Sequence, residues 1–194
     1  AWTTANVYVG VKVVDDTHSN GDSGWNGDSV QIAFTSAARD EGECQPWNNN
    51  CPDTFIFYNY ALNDERNQVL HHEFHPCASD EECTEAAMER FDNAATTIYE
   101  INVPAHALGV DGFSAGYQFG FSICVNDGDN DVDGHGGQGG WSGWGPYAIV
   151  HQKNADSAQL VTLGGDAIYP AGDYGIVSCG NANNGDCEED FCAA

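Results

Sequence analysis

Valines stand at every second position of N-V-Y-V-G-V-K-V-V, with Val7, Val9, Val11 and Val13 on one side and polar or small residues between them. A period of two predicts a half-buried strand over residues 6–14. S-V-Q-I-A-F-T repeats the pattern over 29–35, with Val30, Ile32 and Phe34 inward. The aromatic run T-F-I-F-Y-N-Y-A-L predicts a strand over 54–62. Further strands are predicted over 68–74, 96–103, 147–151, 158–163 and 174–178. In Y-Q-F-G-F-S-I-C-V, 117–125, Phe119, Phe121, Ile123 and Val125 share one face and Cys124 lies on the other. One short helix is predicted over 79–91, where Ser79 and the following acids suit a helix N-terminus. Many short strands joined by glycine-rich turns predict an all-β fold, an antiparallel β-sandwich of jelly-roll or immunoglobulin-like kind. The chain, 1–194, reads as one domain. Segments 36–53 and 75–95 read as cysteine-pinned insertions, and 179–194 as a cysteine-tied acidic tail.

Charge narrows the possible partners. Thirty acidic residues face five basic ones, for a net charge of -25. Phosphate and anionic lipid headgroups need Lys and Arg, so nucleic acid and membrane are excluded as expected partners. Eight cysteines in such a chain point to disulfides and a secreted, extracellular protein. The close pairs are Cys44 with Cys51, Cys77 with Cys83, and Cys187 with Cys192, leaving Cys124 and Cys179. Zinc competes less well, since no C-x-x-C pair is present.

The acids are also patterned. Asp127, Asp129, Asp131 and Asp133 alternate, and D-N-D-V-D-G from Asp129 is the opening of a calcium loop. Alternation crowds carboxylates around one point, where a hard cation relieves their repulsion. The full helix–loop–helix form fails, because Gly140 stands where a bidentate Glu is required. The expectation is therefore a calcium loop between strands, with Asp15, Asp16 and Asp28 supplying the missing ligands or forming a second site. A solvated acidic turn is the alternative.

Trp25, Trp141 and Trp144 lie among Gly, Ser, Asn and Asp rather than in apolar runs. Each either lids the core or displays a flat ring. A sugar packs its C–H face on an indole while nearby amides and acids take its hydroxyls. H-H-E-F-H sets His71, Glu73 and His75 on one strand face, which could hold zinc or copper but reads better as plain surface. Acids are too abundant for any carboxylate pair to signal glycoside hydrolysis. No nucleophile-elbow, zinc-protease or P-loop motif is present, so no catalytic residue is expected.

Several strings together resemble the family 9 carbohydrate-binding modules of xylanases. They are V-Y-V-G-V-K-V-V-D-D (7–16), W-N-G-D-S-V-Q-I-A-F (25–34), Y-E-I-N-V-P-A-H-A-L-G (99–109), Y-Q-F-G-F-S-I-C-V-N-D (117–127), G-W-S-G-W-G (140–145) and K-N-A-D-S-A-Q-L-V-T-L (153–163). The resemblance implies a calcium-bearing, non-catalytic sandwich related to DOMON-type domains. It implies that two tryptophans sandwich a terminal sugar of an oligosaccharide or polysaccharide. Trp25 resembles one of them and Trp141 or Trp144 the other. Gln31 stands where the modules use an acid, and Asn126 resembles a further polar contact. The modules also carry strands before the segment matching 6–14. A sheet edge left open there would suit self-assembly by β-strand addition into an extracellular filament or matrix.

Overall fold

The computed structural model describes residues 1–21, 24–39, 56–73, 84–129, 139–150 and 153–165. They form two antiparallel sheets. The smaller has the order β1-β6-β5, from β1 (Asn6–Val14), β6 (Thr96–Pro104) and β5 (Glu85–Phe91). The larger runs β4-β3-β2-β7-β8, from β4 (Gln68–Glu73), β3 (Ile56–Leu62), β2 (Ser29–Thr35), β7 (Gln118–Asp127) and β8 (Gly140–Trp144). A last strand, β9 (Gln159–Thr162), pairs with the start of β7.

The alternation in the sequence fixes which side chains meet between the sheets. Val30, Ile32 and Phe34 of β2 and Ile56, Tyr58 and Tyr60 of β3 pack against Tyr99, Ile101 and Val103 of β6, with Val7, Val9, Val11 and Val13 alongside. Each large side chain fully removed from water contributes about 1.5–3 kcal/mol. Phe34 anchors an aromatic run, 5.7 Å from Phe119 and 5.1 Å from Phe121 between ring centroids.

The outer face of β2 is buried as well, so all seven of its residues are inaccessible. A second, small cluster of Ala33, Phe57, Cys124, Ile149 and Ala155 lies there. It is covered by a single helical turn, α1 (Tyr147–Val150), and a 3-10 turn at Ala155–Ser157. Lys153 closes this side, its Nζ 4.1 Å above the Phe57 ring and donating to the Ile149 carbonyl at 3.0 Å.

Three expectations are corrected here. The helix over 79–91 gives way to strand β5 over its described part; Ser79 lies outside the described residues. Ala86, Met88 and Arg90 turn inward while Glu85, Ala87, Glu89 and Phe91 stay exposed. Pairing with β6 along its whole length overrides the local helix signal. The strand over 147–151 is instead α1. Gly145, at φ 61°, turns the chain, and Pro146 accepts from Ile149 and Val150 at 2.9 and 3.0 Å. Among the described residues Cys124 is a free thiol, buried against the second cluster and without a disulfide partner. Burial pushes its pKa up to about 12, and its Sγ donates to Asn126 Oδ1 at 3.4 Å.

The three close cysteine pairs, Cys179, His75, the strand over 174–178 and the tail 179–194 lie outside the described residues. So do most of segment 36–53 and the side chains of His71 and Glu73. Among the described residues no helix is long and apolar enough to cross a membrane.

Candidate functional site

Two connections leave the sandwich at the same end, the β1–β2 loop and the β7–β8 connection. They bring together acids that are far apart in sequence. Asp15 and Asp16 follow β1, Asp28 precedes β2, Asp127 ends β7 and Asp129 follows it. Their ligand atoms form overlapping sets, each within 4.8 Å: Asp15, Asp16 and Asp129; Asp28, Asp127 and Asp129; and Asp15, His18 and Asp28. The alternating acids thus do meet carboxylates from elsewhere in the chain. Asp131 and Asp133 lie outside the described residues.

Asp28 is the hinge of this cluster. Its Oδ2 accepts from the Ser19 amide at 2.7 Å and its Oδ1 from the Gly128 amide at 2.7 Å, tying the two connections together. Gly128 is required for this approach, since a Cβ there would stand 2.6 Å from the Ser19 carbonyl oxygen. Burial raises the Asp28 pKa, but His18 and the two amides outweigh it and hold the carboxyl below its ordinary value. Asp15 behaves oppositely. Burial first, and the negative charge of Asp28 second, push it up to about 6. Asp129 is raised by the same two kinds of cause, burial and then Asp127 and Asp28. Such a cluster of hard oxygen donors, frustrated by its own charge, fits a hard cation that takes six to eight oxygens.

Two residues of this end were not foreseen as part of it. His18 places Nδ1 3.3 Å from Asp28 Oδ2, and its Nε2 pairs with the Leu62 carbonyl at 3.0 Å. Arg90 lies almost wholly buried, 3.7 Å from Asp15 Oδ2, and donates to the Asp15 carbonyl at 2.7 Å. A lone histidine three residues after an aspartate is a weak signal. Arg90 was hidden by the helical reading of its segment.

The tryptophans stand close to the acids in the chain. Trp25 lies in the β1–β2 loop and is 51% exposed. Asn20 shapes that loop, its Nδ2 donating to the carbonyls of Gly24 and Asp28 at 2.9 and 3.0 Å. Trp141 and Trp144 lie not in a loop but on edge strand β8, 40% and 48% exposed. Strand register separates them. Trp141 pairs with Asn126, so it shares the outer face of the large sheet, where its ring meets Tyr147 edge-on at 5.7 Å. Trp144 pairs with Ile123 and packs on Phe121 at 6.1 Å, on the face that holds the main core. The two rings therefore point to opposite sides, and only Trp141 shares a face with Asn126 and Gln31.

Those two amides are inside the protein. Gln31 is 4% and Asn126 2% exposed, and Asn126 donates to Ser29 Oγ at 2.8 Å. Between β2 and β4, Asn59 pairs with Gln31 in register, and both atoms of its amide are buried without a hydrogen-bond partner among the described residues. Ser122 Oγ, on the same face, is buried and has no partner among the described residues. The outer face thus carries an amide-rich, uncharged stripe that ends at an exposed indole. Sequence reading missed Asn59, because its neighbours made the segment look like core.

No family model matches the chain, and no curated protein matches it in sequence. Solved structures do match in fold. A family 9 carbohydrate-binding module from Caldicellulosiruptor kristjanssonii, in complex with glucose, superposes with a TM-score of 0.61 at 15% identity, covering 88% of this chain and 76% of the other. The chain has the β-sandwich fold of that module.

Proposed function

We propose that this protein is a non-catalytic carbohydrate-binding module whose saccharide site is braced by calcium and whose working place is outside the cell. The observation that carries the reading is the shared end of the sandwich. The loop bearing Trp25 also bears Asp15, Asp16 and Asp28, and the connection leading to Trp141 begins with Asp127 and Asp129. Calcium held by these carboxylates ties the two connections together at their roots. It neutralises the repulsion that otherwise strains Asp15 and Asp129, and stiffens the backbone that displays the indoles. A sugar ring packs on Trp25 and Trp141, the amides of Asn126 and Gln31 support the sheet beneath, and the excess of thirty acidic over five basic residues disfavours an anionic sugar. The fold shared with the glucose-bound module supports this reading. The test is isothermal titration with glucose and with cello-oligosaccharides, before and after Trp141→Ala. Weaker binding or fewer bound sugars in the variant supports the site; unchanged binding moves it elsewhere.

A second reading, a structural subunit assembled by strand addition, has one supporting observation. Both backbone bonds of Tyr8 run outward to Ala1, at 2.8 and 3.0 Å. By antiparallel alternation the backbone groups of Gly10 and Lys12 face the same edge, where no strand among the described residues pairs with them. Lys12 on that edge is a charge that deters casual pairing. Light scattering tests this: a monomer at high concentration removes the reading, and concentration-dependent polymers sustain it.

A further inference from the structure

The opposed tryptophans carry a consequence for valency. Trp144 is the ring left over once Trp141 joins the outer face, yet it is not an idle surface residue. Its indole is 48% exposed and packs tilted against Phe121, at 6.1 Å between centroids and 39° between planes. Phe121 pairs with Gln159 of β9, two residues along β7 from the Ile123–Trp144 pair. The Gln159 side chain lies against Gly145, the residue after Trp144, where a Cβ would stand 2.8 Å from Gln159 Cγ and 3.4 Å from its Nε2. Gln159 is exposed. Among the described residues its amide makes one long bond, Nε2 to the Ser157 carbonyl at 3.4 Å. An exposed indole fixed by a second ring, with a nearly free amide beside it, is the combination a sugar ring requires: a stacking plane for its C–H face and a donor and acceptor for a hydroxyl. The surroundings also decide against charged ligands. An anion is repelled by a chain of net charge -25, and no carboxylate lies in the register row of Trp144 to attract a cation.

We propose that Trp144, Phe121 and Gln159 form a second binding site for a neutral saccharide, on the opposite side of edge strand β8 from Trp141. This rests on the carbohydrate-binding reading above and extends it. A sheet with a sugar platform on each side holds two chain segments at once, so the protein clamps or cross-links polysaccharide. Neither site then needs high affinity, because the second contact forms at the raised effective concentration created by the first.

The test is an NMR titration of the indole Nε1–H resonances with cellohexaose, in the wild type, Trp141→Ala, Trp144→Ala and Gln159→Ala, with retention on insoluble cellulose measured alongside. The Trp144 resonance is assigned by its disappearance in Trp144→Ala. It should move saturably in the wild type and equally in Trp141→Ala, with roughly tenfold weaker binding in Gln159→Ala. Either tryptophan variant should lose about tenfold or more in retention, as lost bivalency requires. Gln159→Ala and the folded-state spectrum guard against a misfolded variant. A Trp144 resonance that stays still while Trp141 saturates overturns the second site and leaves the first intact. A Trp144 shift that vanishes in Trp141→Ala also overturns it, as a relayed effect of the first site. If no indole moves with any sugar, the carbohydrate reading falls and takes the second site with it.

Discussion

Strand β2 buries all seven of its residues, but its two faces follow different rules. Toward the small sheet, Val30, Ile32 and Phe34 belong to the main apolar and aromatic cluster. On the outer side, Ser29, Gln31 and Thr35 flank a single alanine, beside Asn59, Ser122 and Asn126 of the neighbouring strands. Burial is equal; satisfaction is not. The inner face gains the full transfer free energy of its side chains. The outer face pays for desolvated amides, and Asn59 receives no hydrogen bond in return among the described residues. The comparison teaches that equal burial need not mean equal stabilisation. One side of the sheet holds the sandwich together, and the other keeps polar groups that folding alone does not call for.

Breaking the inner face should produce the largest effect. Phe34→Ala removes a ring that touches both Phe119 and Phe121 and should cost about 3–5 kcal/mol, read by urea denaturation. A loss below about 1 kcal/mol would mean that the inner face is not the principal core. Removing calcium comes next. A ligand present at a hundredfold excess over its Kd adds about 2.7 kcal/mol. For a domain of this size that corresponds to a Tm about 5–10 °C lower in chelator. Asp28→Asn should abolish most of this difference, since Asp28 belongs to two of the three ligand sets. An identical Tm with and without calcium would contradict the metal reading.

The outer face should respond with the opposite sign. Asn59→Leu replaces an unpartnered buried amide by an apolar group of similar size and should raise stability by about 1 kcal/mol. A destabilisation would show that the amide is satisfied by water or by a partner. The smallest effect is the pH dependence of the metal-free protein. The Asp15 carboxyl titrates near 6 in the fold, against about 3.9 unfolded. A raised value means that the fold favours the protonated form. Its contribution is therefore full below the unfolded value and is lost as pH rises towards about 6. With calcium present the trend should reverse if ionised Asp15 serves as a ligand, as proposed. Melting curves from pH 4 to 7, with calcium and with chelator, check both signs.

Much of the inner face was legible in the sequence. Strict alternation over 6–14, 29–35 and 117–125 identified both the strands and their inward residues, because one face was apolar and the other was not. The acidic cluster was legible for a similar reason: carboxylates crowded at Asp127 and Asp129 need a counter-charge, and the nearest spare acids in loop-like positions were Asp15, Asp16 and Asp28. Other features depended on pairing that no single segment reveals. β5 carried a good helix-start signal and became a strand because β6 offered it an edge. β8 has no apolar alternation at all, so its two tryptophans looked like a loop. That they face opposite ways follows only from their register with Asn126 and Ile123. The burial of Gln31 and Asn126 was hidden because α1, which covers their face, comes from a four-residue apolar run with no helical period.

The central claim is that calcium and saccharide binding are coupled through one end of the sandwich. The most direct measurement is the affinity for glucose, followed by tryptophan fluorescence at saturating calcium and again in chelator, on wild type and Asp28→Asn. The account predicts a saturable shift that weakens at least severalfold in chelator, with Asp28→Asn resembling the chelated wild type at any calcium concentration. Equal affinity in both conditions would contradict it, leaving the acids and the indoles as neighbours without a common purpose.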